Sequence, residues 1–364
     1  MATKFYSLKN ILKKKAQYNI IIGERSNGKT YGCLKYALER YVKYGDEIGY
    51  IRRWKEDVRG KRATQLFASL VADGVVSKLT NGEFSSVDSY AGKFYLCNYD
   101  KNLKKTVRAP QPFCYGFALT DMEHDKSISF PNIRTIIFDE FLTRKMYLPD
   151  EFVTFMNTLS TIIRHRDDVT IFMVGNTVNK YCPYFKEMGL DKIENMEQGR
   201  IDVYRYGQSN LKVAVEYCDN SQRQSKASDV YFAFNNPKLQ MITGGKWEID
   251  LYPHLPTKYR PSEVVFTYFI DFDDNLLQCE VVDNGKDIFT FIHRKTTDIK
   301  NEDDLVYRLV QSPRPNVVMN ICKPFNKATQ MVWKLFQIDK VFYQDNEVGE
   351  IVRNYLGQCG KLLK

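Results

Sequence analysis

The sequence predicts a two-domain α/β protein. An N-terminal domain with a mostly parallel sheet and helices on both faces precedes a smaller α/β domain. Three observations predict it. Gly23-Glu24-Arg25-Ser26-Asn27-Gly28-Lys29-Thr30 reads G-x-x-x-x-G-K-[ST], the phosphate-binding loop of nucleotide triphosphatases, between a β-branched run at 18–22 and a helical pattern at 31–44. Thr135-Ile136-Ile137-Phe138-Asp139-Glu140 is a second buried-strand run, closed by two carboxylates. Between 264 and 292, three apolar runs alternate with short polar connections, which marks an antiparallel meander.

Bulk properties set the frame. The 364 residues are too many for one ordinary core, and 43% hydrophobic content supports a folded chain. The expected division is a nucleotide-binding domain at 1–205, a linker module at 206–245 and a C-terminal domain at 246–364. The net charge of +9 favours a polyanionic partner, with lysines clustered at Lys13-Lys14-Lys15 and at Lys101, Lys104 and Lys105. Beside a nucleotide motor in the same chain, nucleic acid becomes the favoured polyanion, and Lys101, Lys104 and Lys105 are candidate contacts to its phosphate backbone. The eight cysteines form no C-x-x-C pair and the four histidines are dispersed, which points to reduced thiols in a cytoplasmic protein rather than to zinc or disulfides. No apolar run is long enough to span a bilayer, so no membrane partner is expected.

Residues 1–17 form a basic lead-in with a short helix near 8–15. At the following strand–loop–helix, backbone N–H groups and a helix dipole converge on the β- and γ-phosphates of ATP. Gly28 lets the backbone approach, Lys29 neutralises phosphate charge, and the Thr30 hydroxyl ligates Mg²⁺. The strand at 48–55 runs out into Arg52, Arg53 and Lys55, which in an open parallel sheet leave on the ligand side. Residues 56–92 are expected to be helical at 63–71 and then loop-like. Strands at 94–97 and 113–119 suggest a hairpin whose polar, basic tip is 98–108.

The acidic strand follows. Asp139 would hold the Mg²⁺ shell and Glu140 would act as general base on the attacking water. A helix opens at Asp150 and ends in Arg164-His165-Arg166, cations that suit a helix C-terminus. The strand at 170–174 ends in Gly175-Asn176-Thr177, where Asn176 can sense the γ-phosphate through the water. This order describes the additional-strand, catalytic-glutamate class of P-loop ATPases. Past Tyr204 the alternation decays, and the polar run 220–229 reads as a linker. After the meander, helices are expected near 305–310, 327–337 and 347–356 with a short strand at 317–319, an RNase H-like pattern.

Taken together, these residues resemble the genome-packaging ATPases of small short-tailed phages with protein-primed linear DNA, compact relatives of the terminase large subunit. The resemblance rests on the loop with its internal Arg25, on Ile51-Arg52-Arg53-Trp54-Lys55, on Ile137-Phe138-Asp139-Glu140-Phe141 and on Ile163-Arg164-His165-Arg166. It implies that Arg164, with Arg166 as its understudy, reaches a neighbouring subunit's nucleotide, and that Lys55 makes a further trans contact. It also implies a homopentameric ring on the portal vertex of a procapsid in the host cytoplasm, pumping double-stranded DNA and in some systems touching a packaging RNA. The C-terminal domain is then a terminase nuclease that has lost its activity. Asp271, Asp273 and Asp274 follow the first strand, where active nucleases place a metal ligand, but no later acids complete a set. The alternatives are a terminase-type motor with an active nuclease, and a non-motor P-loop ATPase of phage assembly or secretion.

Overall fold

The computed structural model describes residues 6–25, 27–100, 104–121, 128–143, 147–148, 150–177, 182–190, 192–207, 209–219, 252–255 and 257–361. The chain separates into two compact units, Met1–Glu248 and Ile249–Lys364.

The first unit is built on a ten-stranded sheet. Its strands are β1 (Tyr18–Gly23), β2 (Glu47–Arg52), β3 (Ser86–Tyr90), β4 (Lys93–Asp100), β5 (Lys105–Arg108), β6 (Cys114–Ala118), β7 (Ile133–Asp139), β8 (Thr170–Asn176), β9 (Ile201–Arg205) and β10 (Lys212–Tyr217). The order is β3-β4-β6-β2-β7-β8-β1-β10-β9, with β5 on β4. The run from β6 to β10 is parallel throughout. The antiparallel strands lie at the two edges. Strand β8 lies between the loop-bearing β1 and the acidic β7, which is the inserted strand expected of the class.

Helices cover both faces because alternate residues of each central strand are apolar on both sides. On one face α2 (Lys29–Tyr44) buries Cys33, Leu34, Ala37 and Leu38 against Ile21, Ile48, Ile137 and Phe172. On the other, α6 (Glu151–Ile163) buries Phe155, Leu159 and Ile162 against Ile20, Ile22, Ile136 and Phe138. The remaining helices among the described residues of this unit are short: α1 (Lys9–Leu12), α3 (Gly60–Thr64), α4 (Ala68–Ala72), α5 (Val75–Leu79) and α7 (Pro183–Glu187).

Four expectations are corrected. The first domain does not end at 205: β10 pairs with β1 deep in the sheet, and position 205 closes one strand of the β9–β10 hairpin. Residues 212–217 thus belong to the sheet of the first unit, and the expected linker at 220–229 lies outside the described residues. Strand β4 forms its hairpin with β5, inside the stretch expected to be a tip, and touches β6 only at Lys93 and Phe94. Residues 86–90, expected to be loop, form β3. In the second unit, the helix expected at 305–310 is the strand β14 (Leu305–Tyr307), three buried residues in a row.

That second unit holds β11 (Val264–Phe272), β12 (Asn275–Asp283), β13 (Ile288–Arg294), β14, β15 (Val317–Val318) and β16 (Val341–Tyr343), in the order β15-β14-β11-β12-β13-β16. The first three form the expected antiparallel meander, and β14 and β15 extend it in parallel from β11. This is the arrangement of an RNase H-like sheet, with β16 added beside β13. Helices α8 (Lys327–Gln337) and α9 (Asn346–Lys361) follow, α8 opened by a capping box between Asn326 and Thr329.

Candidate functional site

The carboxyl ends of four adjacent parallel strands converge on one place. Gly23 ends β1, Asn176 ends β8 directly opposite it, Asp139 ends β7 and Arg52 ends β2. The loop after β1 turns back into α2 through Gly28, whose φ of 88° is left-handed and favours glycine. At Gly23, an added Cβ would stand 2.9 Å from the Cβ of Cys218. The end of β1, where the loop begins, is therefore packed closely against the residue that follows β10. Its apex is braced from inside: the Asn27 side chain accepts from the Lys29 N–H at 3.2 Å, and the Tyr6 N–H donates to the Asn27 carbonyl at 3.0 Å. Ser26 lies outside the described residues.

Lys29 is almost fully buried, and its ammonium donates to the carbonyls of Gly23 and Glu24 and to Asn176 Oδ1 at 3.2 Å. Thr30 Oγ1 donates to Asp139 Oδ1 at 3.0 Å, and Tyr50 donates to Asp139 Oδ2 at 2.9 Å. Burial and Asp139 together push the Tyr50 phenol well above its ordinary pKa, so it stays a donor. Lys29, Thr30, Asp139 and Asn176 line a cavity of about 220 Å³ with Gly28, Tyr31 and Glu140. A hydroxyl and a carboxylate side by side at the head of a helix suit Mg²⁺, which takes one or two protein oxygens and completes its shell from phosphate and water. The residues fit the ion.

Glu140 departs from the strand with φ 55°, and its side chain is 59% exposed. Its carboxylate is paired with Arg52, Nη2 to Oε2 at 2.6 Å. Arg52 also reaches Asp57 at 3.3 Å and Asp139 at 3.6 Å. Burial alone would lower the Arg52 pKa, but Tyr50, Glu140 and Asp139 outweigh it and hold the guanidinium charged.

Residues 2–231 match the Podovirus DNA encapsidation protein (Gp16) family. The chain belongs to that family. The DNA packaging protein of Bacillus phage phi29 is 27% identical over 184 residues, 50% of this chain and 49% of the relative. The match thus spans about half the length of that curated relative. Two solved structures share the fold over nearly the whole chain. One is the bacteriophage Phi-29 viral genome packaging motor assembly, at TM-score 0.58, 20% identity and 99% coverage of both chains. The other is the Phi-28 gp11 DNA packaging motor, at TM-score 0.55, 16% identity and 98% coverage of both.

The remaining expected residues lie elsewhere. Arg164 closes α6 at φ 54°, ψ −119°, exposed, with one donor on the Ile128 carbonyl at 3.0 Å. Helix α6 leads away from the carboxyl ends of the strands, so its thirteen residues carry Arg164 about 20 Å from the end that bears Glu140. Arg166 is turned inward, donating to the carbonyls of Phe130, Ile133, Ile162 and Ile163. That latch, not a reach outward, is what its guanidinium does here. Lys55 lies beside the site and pairs with Asp121 at 2.9 Å. Lys104 and Lys105 are exposed at the β4–β5 turn, while Lys101 lies outside the described residues. Glu24 and Arg25 follow β1 at the start of the loop.

Sequence reasoning missed Tyr50 as a partner of Asp139 and Arg52 as the partner of Glu140. It placed Arg52 on the ligand side but gave it no role. It also missed a buried ion pair between Arg53 and Glu151, 98 residues apart.

Proposed function

We propose that this chain is the ATP-hydrolysing subunit of a homo-oligomeric ring that drives double-stranded DNA into a preformed capsid. The contact that carries this reading is Thr30 on Asp139 beside Glu140, set at the end of a sheet with β8 between β1 and β7. In it Lys29 and the loop N–H groups hold the phosphates, Thr30 and Asp139 hold Mg²⁺, Glu140 takes the proton of the attacking water, and Asn176 orients that water. Mg²⁺ supplies charge neutralisation at the phosphates. The Arg52–Glu140 pair opens for Glu140 to serve as a base, because a paired carboxylate is a poorer proton acceptor.

Arg164 serves a neighbouring subunit's nucleotide, a role supported by its exposure and by the length of α6 that separates it from its own Glu140. A ring follows from a residue that acts in trans. Five subunits, the portal contact, Lys55 as a second trans residue and a packaging RNA rest on the family resemblance. One of the related structures is described as a genome packaging motor assembly, which supports the portal-docked reading. Lys104 and Lys105 contact the DNA backbone. In the second unit, Asp271 Oδ2 pairs with Arg308 at 3.2 Å, which supports a domain without nuclease activity.

The test is ATP hydrolysis by the purified protein with and without duplex DNA. Turnover should rise with DNA of any sequence and fall steeply as salt is added. Turnover indifferent to DNA would favour a non-motor ATPase, and no turnover at all would remove the enzyme reading.

A further inference from the structure

A buried charge cluster stands directly behind the site. Arg53, one residue past the end of β2, is 5% exposed, and Glu151, the first residue of α6, is 2% exposed. Their side chains meet as a fork, Nε to Oε2 at 2.7 Å and Nη2 to Oε1 at 2.8 Å. The guanidinium also donates to the carbonyl of Glu140 at 3.2 Å and of Phe141 at 2.8 Å, and lies over the Tyr147 ring at 5.2 Å. Glu151 accepts two further hydrogen bonds, from Tyr184 Oη at 2.8 Å and the Leu148 N–H at 2.6 Å.

Removing two charges from water is rarely the cheapest way to fill a core, since apolar side chains of similar volume often do as well or better. A pair retained here therefore invites a role that apolar side chains cannot fill. The two carbonyls that Arg53 holds belong to Glu140, which carries the proposed base, and to its successor. Glu140 has a left-handed backbone that a non-glycine residue keeps only when its surroundings impose it. Two hydrogen bonds from one planar, anchored guanidinium supply that constraint.

We propose that Arg53 is a positioning residue for Glu140, with Glu151 as its anchor, so that the backbone of the base is fixed to the first turn of α6. This rests on the hydrolytic role of Glu140 proposed above. Arg53 is not among the residues that line the cavity; it acts through where it puts the Glu140 backbone.

The test replaces the pair by apolar side chains, Arg53→Met with Glu151→Leu, in the full chain. The double variant should melt near the wild type. Its KM for ATP and its affinity for Mg·ADP should stay within about threefold, while kcat falls about 10²-fold, the scale of a displaced catalytic group. Adding Glu140→Gln, which costs the wild type about 10²- to 10⁴-fold, should cost this variant under about tenfold more, because the base is already out of place. An unchanged kcat, or a full Glu140→Gln penalty in the double variant, overturns the proposal. If the double variant does not fold, Arg53→Lys decides. It keeps the charge but cannot reach both carboxylate oxygens and both carbonyls, so kcat should drop at unchanged KM, and a wild-type kcat overturns the proposal. Wild-type protein that hydrolyses nothing would instead sink the underlying functional reading and this inference with it.

Discussion

Each unit of this chain carries an aspartate at or next to the carboxyl end of a strand, and the two aspartates are treated differently. Asp139, at the end of β7, is met by the hydroxyls of Thr30 and Tyr50 at hydrogen-bond distance, with the Arg52 guanidinium paired to it at a longer 3.6 Å. Asp271, near the end of β11, is met by the guanidinium of Arg308 at 3.2 Å. A hydroxyl beside a carboxylate adds a second oxygen ligand for a hard cation. A guanidinium in the same place competes with that cation for the carboxylate. The carboxyl end of a strand thus supplies a position for chemistry, and the neighbouring strand or helix decides whether chemistry follows. In the first unit that neighbour is a glycine loop running into α2; in the second it is β14, paired with β11 and followed at once by Arg308.

The comparison breaks most directly at Lys29. Lys29→Ala removes the ammonium that meets phosphate charge, so ATP turnover should fall below detection, by about 10³-fold or more. Lys29 opens α2 and its ammonium faces the cavity rather than the hydrophobic core, so a melting curve should shift by little beside the loss of turnover. Turnover within a few-fold of wild type would place the chemistry somewhere other than the end of β1.

Arg164 sharpens the same contrast, since a helix-terminal arginine is either a cap or a functional group. Its φ of 54° and ψ of −119° are a glycine-like conformation, which costs a residue with a side chain about 1–3 kcal/mol. Arg164→Gly should therefore leave the melting temperature unchanged or raise it, while turnover in the assembled ring drops about 10³-fold. Arg164→Lys should lose nearly as much activity, because an ammonium cannot spread over the γ-phosphate oxygens as a planar fork does. Mixing Arg164→Ala subunits with Lys29→Ala subunits should restore some turnover where an intact finger meets an intact pocket. A loss of stability in Arg164→Gly with normal turnover would return Arg164 to a structural role.

What could be read in advance follows from burial. Strands β1, β7 and β8 are covered on both faces, so they appear as unbroken β-branched and aromatic runs, and the loop and acids that close them stand out. Strand β5 escaped because all four of its residues, Lys105 to Arg108, are exposed and its single apolar residue, Val107, makes no alternating pattern. Strand β3 is half-exposed and mostly polar, and β10 interrupts its apolar run with Glu216, whose buried carboxylate, pushed to a raised pKa by burial, is held by Tyr6 at 2.6 Å. At the site, Lys29, Thr30, Asp139, Glu140 and Asn176 were legible because each adjoins a strand end or a motif. Arg52 and Arg53 were visible only as basic residues on the ligand side. Their partners Glu140 and Glu151 lie 88 and 98 residues downstream, and nothing local in a sequence reports such a pairing.

The smallest expected effect lies at Asp271, and it is the one that tests the comparison from its other side. Both members of the Asp271–Arg308 pair are about a third exposed, so screening leaves the pair worth roughly 0–1 kcal/mol. Asp271→Asn should therefore shift the melting temperature by little, and less again at high salt. If the end of β11 were a metal site instead, Mn²⁺ would stabilise the wild type through mass action on the folded state, and Asp271→Asn would abolish that gain. The ion-pair reading predicts no Mn²⁺-dependent shift in either protein and no DNA cleavage by either. Arg308→Gln separates the two accounts further. It removes the competing cation while keeping the carboxylate, so any latent affinity for a divalent ion should emerge there first. Mn²⁺ stabilisation confined to Arg308→Gln would show that the guanidinium alone suppresses the site. Stabilisation already present in the wild type, with cleavage lost on Asp271→Asn, would make the second unit an active nuclease and erase the contrast between the two strand ends.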